Sequence, residues 1–143
     1  MEDPMIWTRK DRLLLIAFFG RQFFDDEGGL ICCDGGVNYL HFKTAMRKLF
    51  EVLTPDQYEE FKERLSRKGK DVRKFFPPYG ITDDDIGKWK DQALSTAKTI
   101  PVRLVDFLEE LESLVESATL VQAVARESYA WAASEDVLYG INN

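Results

Sequence analysis

Apolar residues in this chain recur mostly three and four positions apart, the spacing of one face of a helix. A first helix is predicted to start after Thr8, whose hydroxyl stands three residues ahead of Asp11 in a capping pattern, and to end near Phe24 or Asp25. Its stretch Leu13–Phe19 is apolar at nearly every position, with Phe23 and Phe24 beyond, so this helix is expected to be surrounded by the others. Tyr39, Phe42, Ala45, Met46, Leu49, Phe50 and Leu53 predict a second helix beginning near Asn38. Thr54-Pro55 supplies a cap and a first-turn proline for a third, with Tyr58, Phe61 and Leu65 facing inward.

The pattern fades over residues 66–80 into a loop with at most one short helical turn. Thr82 caps a fourth helix with the stripe Ile86, Trp89, Ala93, Leu94 and Ala97. From Val102 to Tyr139 there is neither Pro nor Gly, which predicts one long helix or two joined near Ser117–Thr119, stopped by Gly140. The expected fold is all-α: a single domain of residues 1–143, a bundle of five to six helices around Leu13–Phe24, Phe50, Phe61, Trp89, Leu108, Leu111 and Trp131. A glycine-rich loop at residues 25–37 interrupts it, with a short β-hairpin turned at Asp34-Gly35 as the alternative there.

Composition agrees with a packed core. The 143 residues are 45% hydrophobic and include ten Phe and three Trp, and a chain of this length buries roughly 68–70% of its unfolded surface. The longest apolar run near the N-terminus, Leu13–Phe19, is seven residues, too short to span a bilayer. The opening MEDPM offers neither the basic start nor the small-residue cleavage site of a secretion signal. Cys32 and Cys33 are adjacent, which strains a bond between them, so a reduced, cytoplasmic location is expected, without membrane contact.

Charge changes the picture only when divided along the chain. Residues 1–98 balance at 17 acids and 17 bases, whereas residues 99–143 carry eight acids and two bases and hold the whole net charge of −6. Such a field repels phosphate on average and favours a basic protein partner. The exception is residues 62–74, where seven bases stand against two acids, with Phe75, Phe76 and Tyr79 directly after. Basic residues beside aromatics are the chemistry of phosphate contact and base stacking, so Arg64, Arg67, Lys68, Lys70, Arg73, Lys74 and Tyr79 form an alternative nucleic-acid-binding set.

Catalytic chemistry finds little footing. A zinc site needs about four ligands in spaced pairs, and the only cysteines are Cys32 and Cys33. A Cys–His pair with His41 is opposed by geometry: on a hairpin strand His41 lies about 13 Å from Cys32, and on a helix starting near Asn38 the cysteines stay on the preceding loop. An EF-hand register puts Phe or an aliphatic residue at the first ligand position in every alignment of the glycines. Phosphate-binding glycine loops, the nucleophile elbow and the H-E-x-x-H zinc motif are all lacking. The acids Asp83, Asp84 and Asp85 follow Thr82 and fit the first turn of a helix.

The expected function is therefore non-enzymatic and needs no cofactor or metal. A small acidic protein that binds another protein, as an inhibitor, an immunity or anti-defence protein or an adaptor, fits best. Asp25, Asp26, Glu27 and Asp34 in the loop, and Glu109, Glu112 and Glu116 on an acidic helix face, are the candidate contacts. A helical ribonucleoprotein subunit using residues 62–79 is the alternative, and the pattern leaves the oligomeric state open.

Overall fold

A computed structural model describes residues 8–24, 30–31, 37–70, 72–94 and 99–134, and they are mostly helical. Local side-chain capping sets three of the helix starts. Helix α1 (Arg9–Phe23) opens on a reciprocal capping box: Thr8 Oγ1 accepts from the Asp11 amide at 3.0 Å, and Asp11 accepts from the Thr8 amide at 3.2 Å. Helix α2 (Val37–Val52) begins at the position that the spacing of Phe42 and Met46 predicts. Helix α3 (Pro55–Ser66) follows a second capping box between Thr54 and Gln57, with Pro55 at its first position.

The predicted short turn between α3 and the next capped helix is α4 (Val72–Phe75). In α5 (Asp83–Leu94), Thr82 Oγ1 accepts from the Asp85 amide at 3.2 Å, and the three aspartates lie in the positive first turn. The last region is two helices, α6 (Leu104–Leu114) and α7 (Ser117–Ser134), broken where Val115 turns extended, slightly ahead of the expected joint.

Two elements arise from long-range contact. Strand β1 (Leu30–Ile31) pairs antiparallel with β2 (Thr99–Ile100), Leu30 opposite Ile100 and Ile31 opposite Thr99. The loop segment before α2 thus has a strand partner far along the chain, and the turn of the alternative hairpin at Asp34-Gly35 falls outside the described residues. Residues 32–36, with both cysteines and Asp34, lie outside the described residues. Seven helical segments are present among the described residues, against five or six expected, and the four-residue α4 is the short turn that the pattern left within a loop.

One aromatic cluster forms the core. The Phe107 ring on α6 lies 5.2 to 5.7 Å from the rings of Phe19, Phe23, Phe24 and Phe61. Phe23 in turn meets Phe42, Phe75 and Phe76 at 5.4 to 5.9 Å, mostly edge to face. Phe75 and Phe76, which the sequence pattern left in a loop, are fully buried, as is Tyr58, whose hydroxyl donates to the Pro77 carbonyl at 2.6 Å. Phe50 and Trp89 are only partly buried against this cluster, and the side chain of Trp131 lies outside the described set.

Polar side chains lock the helix ends together. Gln57, besides capping α3, donates from Nε2 to the Leu114 carbonyl at 2.7 Å and so closes the end of α6. The Tyr79 hydroxyl donates to the Phe50 and Leu53 carbonyls at the end of α2, at 2.8 and 3.0 Å. No helix among the described residues is long and apolar enough to cross a membrane.

The expectation of all-round burial for α1 needs correction. Leu15, Phe18, Phe19 and Phe23 are buried, but Leu13 is 54% exposed and Ile16 38%. The apolar run of α1 is wider than the face its neighbours cover.

Candidate functional site

The basic segment meets more acid in space than in sequence. Arg64 is held by Glu60 one turn back, donates to Ser113 Oγ at 2.7 Å and reaches Glu110 at 3.5 Å on α6. Its hydrogen bond to Glu60 raises the guanidinium pKa further above its ordinary value. Lys68 lies 3.7 Å from Asp106 and 4.0 Å from Glu110, and Arg67 is 3.8 Å from Glu63. Arg73 pairs with Glu59 at 2.9 Å and Glu63 at 3.3 Å. Lys70 and Lys74 are exposed, and Lys70 makes no ion pair among the described residues.

Three of these cations, Arg64, Arg67 and Lys68, line a surface cleft of about 570 Å³ with Glu60 and Glu110. A phosphate entering it meets carboxylates already seated on the cations. The aromatic half of the predicted set is turned inward: Phe75 and Phe76 are core residues, and the Tyr79 ring packs 5.0 Å from Phe50 and 5.5 Å from Tyr58. What the sequence presents as a basic and aromatic strip is a largely ion-paired surface, with Lys70 open, over a buried aromatic layer. Neither Phe75 nor Phe76 offers a face on which a base could stack.

Of the predicted acidic contacts, Asp25, Asp26, Glu27 and Asp34 lie outside the described residues. The remaining three separate. Glu109 and Glu116 are exposed and make no ion pair among the described residues. Glu112 is half-buried and engaged with Arg12 of α1, so it belongs to the helix contact and not to an open acidic face. Burial raises its carboxyl pKa, and Arg12 offsets part of that rise.

That ion pair fixes how α1 and α6 lie together. Arg12 meets Glu112 at one end, and at the other the Leu104 Cδ2 methyl lies 3.4 Å from where a Cβ on Gly20 would stand. Eight residues separate the two contacts on each helix, running in opposite senses, so the pair is antiparallel and in step. Helical spacing then places Leu13 and Ile16 of α1, and Val105 of α6 at 39% exposure, on the outer flank of this pair. Arg9 and Lys10 border the flank on the α1 side, and Glu109 and Glu116 border it on the α6 side. All four charges are exposed and unpaired among the described residues.

An exposed aliphatic strip with unpaired charges of opposite sign along its two edges has the anatomy of a contact surface: an apolar centre and a polar rim. Sequence reasoning named Glu109 and Glu116 but missed Leu13, Ile16 and Val105. The available signal was the interleaving of Arg9, Lys10 and Arg21 with Leu13 and Ile16 at helical spacing, masked by the apolar residues on every other side of α1. Among the described residues no group of three or more His, Cys, Asp or Glu side chains is placed to hold a metal ion. No protein-family model, curated protein or solved structure matches this chain, and the reading of the flank rests on its own geometry.

Proposed function

We propose that this is a small non-enzymatic protein that acts in the cytoplasm by docking on another protein, in the manner of an inhibitor, an immunity or anti-defence protein or an adaptor. The observation that carries the reading is the α1–α6 flank, where Leu13, Ile16 and Val105 stand exposed between unpaired cations and unpaired acids. Aliphatics exposed on one continuous face bind through desolvation, and a charged rim orients the partner and speeds encounter. Glu109 and Glu116 keep the role expected of the acidic face, now with an apolar centre beside them.

Affinity capture with the full chain tests this. Leu13→Glu and Val105→Glu are each expected to abolish partner capture, while Lys70→Glu on the far side of the charge pattern leaves it intact. Retention of every partner by both flank variants would refute the assignment. The alternative, nucleic-acid contact through residues 62–79, has less support because Arg64, Lys68 and Arg73 are seated on carboxylates and Phe75, Phe76 and Tyr79 pack inward. A gel shift with single- and double-stranded DNA and RNA at low salt, abolished by Arg67→Glu with Lys70→Glu, is the result that would favour it instead.

A further inference from the structure

We infer that the partner of the α1–α6 flank is a second copy of this chain, α1 of each protomer lying on α6 of the other about a two-fold axis that runs along the helices. The inference rests on the reading of the flank as a docking surface and adds the identity of what docks there. Its basis is the division of charge: cations border the α1 side, through Arg9 and Lys10, and acids border the α6 side, through Glu109 and Glu116.

A face built from two antiparallel helices can meet its own copy in two symmetric ways. An axis across the helices stacks α1 on α1 and α6 on α6, which sets cations on cations and acids on acids. An axis along the helices stacks α1 on α6, which sets each basic border on an acidic one. The charges select the second arrangement.

Register follows without further assumption, because rotation about an axis along the helices does not shift them lengthwise. Arg12 is level with Glu112 within a protomer. Arg9 and Lys10 are therefore level with the end of α6 and fall between the partner's Glu109 and the partner's Glu116. Ile16 comes within about one helical turn, roughly 5 Å, of the partner's Val105, so the aliphatics meet at the centre while the charges close the rim. The surface is self-complementary in shape of charge and in register. A partner of single-sign charge would leave one border unanswered.

Sedimentation velocity of the full chain from about 5 to 300 µM, a range that spans micromolar dissociation constants, reads the association. Two charge-reversed variants give the decisive arm. Arg9→Glu with Lys10→Glu makes both borders acidic, and Glu109→Lys with Glu116→Lys makes both basic. Each alone is expected to raise the dimer Kd at least about tenfold. Mixed in equal amounts they form a heterodimer in which every border again faces its opposite, and association returns to within about threefold of the wild type.

A wild-type chain that stays monomeric to 300 µM overturns the inference, as does a mixture no more associated than its separate components. If circular dichroism shows that a reversed variant has lost its helices, Arg9→Ala with Lys10→Ala and Glu109→Gln with Glu116→Gln replace them, and each must still weaken the dimer. The broader docking reading fails separately, only if Leu13→Glu and Val105→Glu leave the capture of all partners unchanged.

Discussion

Gly69 is the position where a single methyl group is expected to do the most damage relative to its size. It lies just past α3, its amide donating to the Leu65 carbonyl at 3.1 Å, and it faces the strand and linker that lead into α6. A Cβ there would stand 2.5 Å from Val102 Cγ2 and 2.7 Å from Ile100 Cγ2, far inside van der Waals contact. Both neighbours are buried and β-branched, so neither can rotate its methyl away cheaply. Overpacking of this kind costs about 1–3 kcal/mol. Alanine also restricts the unfolded chain, which at an open site stabilises by about 0.4–1 kcal/mol. The net expectation for Gly69→Ala is a loss of about 1–2 kcal/mol, or a Tm lower by about 2–8 °C at this chain length.

Thermal and urea melts of Gly69→Ala, Val102→Ala and the double variant measure it. Truncating Val102 removes the nearer of the two atoms that the new methyl strikes, so the double variant should be more stable than the sum of the two losses by about 1 kcal/mol. Gly80→Ala is the control: its φ of +82° with open space around it predicts a backbone cost of about 1 kcal/mol, additive with Val102→Ala. A rise in Tm for Gly69→Ala, or strict additivity with Val102→Ala, would refute the close-approach argument.

Tyr58→Phe leaves the Pro77 carbonyl without its buried donor and should cost about 1–3 kcal/mol in urea unfolding. Burial first, and Glu59 second, hold the Tyr58 phenol far above its ordinary value of 10.0, so the folded chain keeps a proton that the unfolded chain loses. Stability should therefore fall as pH rises above about 10, and equal slopes in the wild type and Tyr58→Phe would contradict the assignment. Glu112 carries the same sign at the acid end: its carboxyl pKa lies above 4.5 chiefly through burial, so its contribution is full below that value and declines as pH rises through the folded pKa. Glu112→Gln should flatten that part of the stability profile, and an unchanged profile in melts between pH 4 and 7 would count against it. The buried Lys48 ammonium joins α2 to α7 through Glu127 at 3.3 Å and also reaches Glu51 at 2.7 Å. Removing both of its carboxylates, as Glu51→Gln with Glu127→Leu, should cost about 1–2 kcal/mol more than the same pair combined with Lys48→Met, because the double variant leaves the buried ammonium without a partner; a triple variant less stable than the double one would refute this.

The elements that sequence alone determined are those whose stabilising contacts close within about one helical turn. Thr8 with Asp11, Thr54 with Gln57 and Thr82 with Asp85 are each three residues apart, and each cap lies where the pattern of side chains places it. The same locality accounts for Pro55 at the head of α3 and for α2 beginning beside Asn38. Burial and pairing were decided elsewhere. Phe75 and Phe76 stand in a stretch with little periodicity, yet rings from α1, α2, α3 and α6 enclose them. Within the basic run over residues 62–74, Arg64 and Lys68 are engaged by Glu110 and Asp106, more than 30 positions away in the chain. Among the described residues strand β1 pairs only with Thr99 and Ile100, about 70 positions away. Leu13 and Ile16 are as apolar as Leu15 and Phe18, and only the placement of α2, α6 and α7 around α1 separates the covered side from the open one. Capping depends on backbone groups that the chain brings together by itself, whereas exposure depends on which neighbours arrive, and the flank proposed for docking lies where none of the described helices packs.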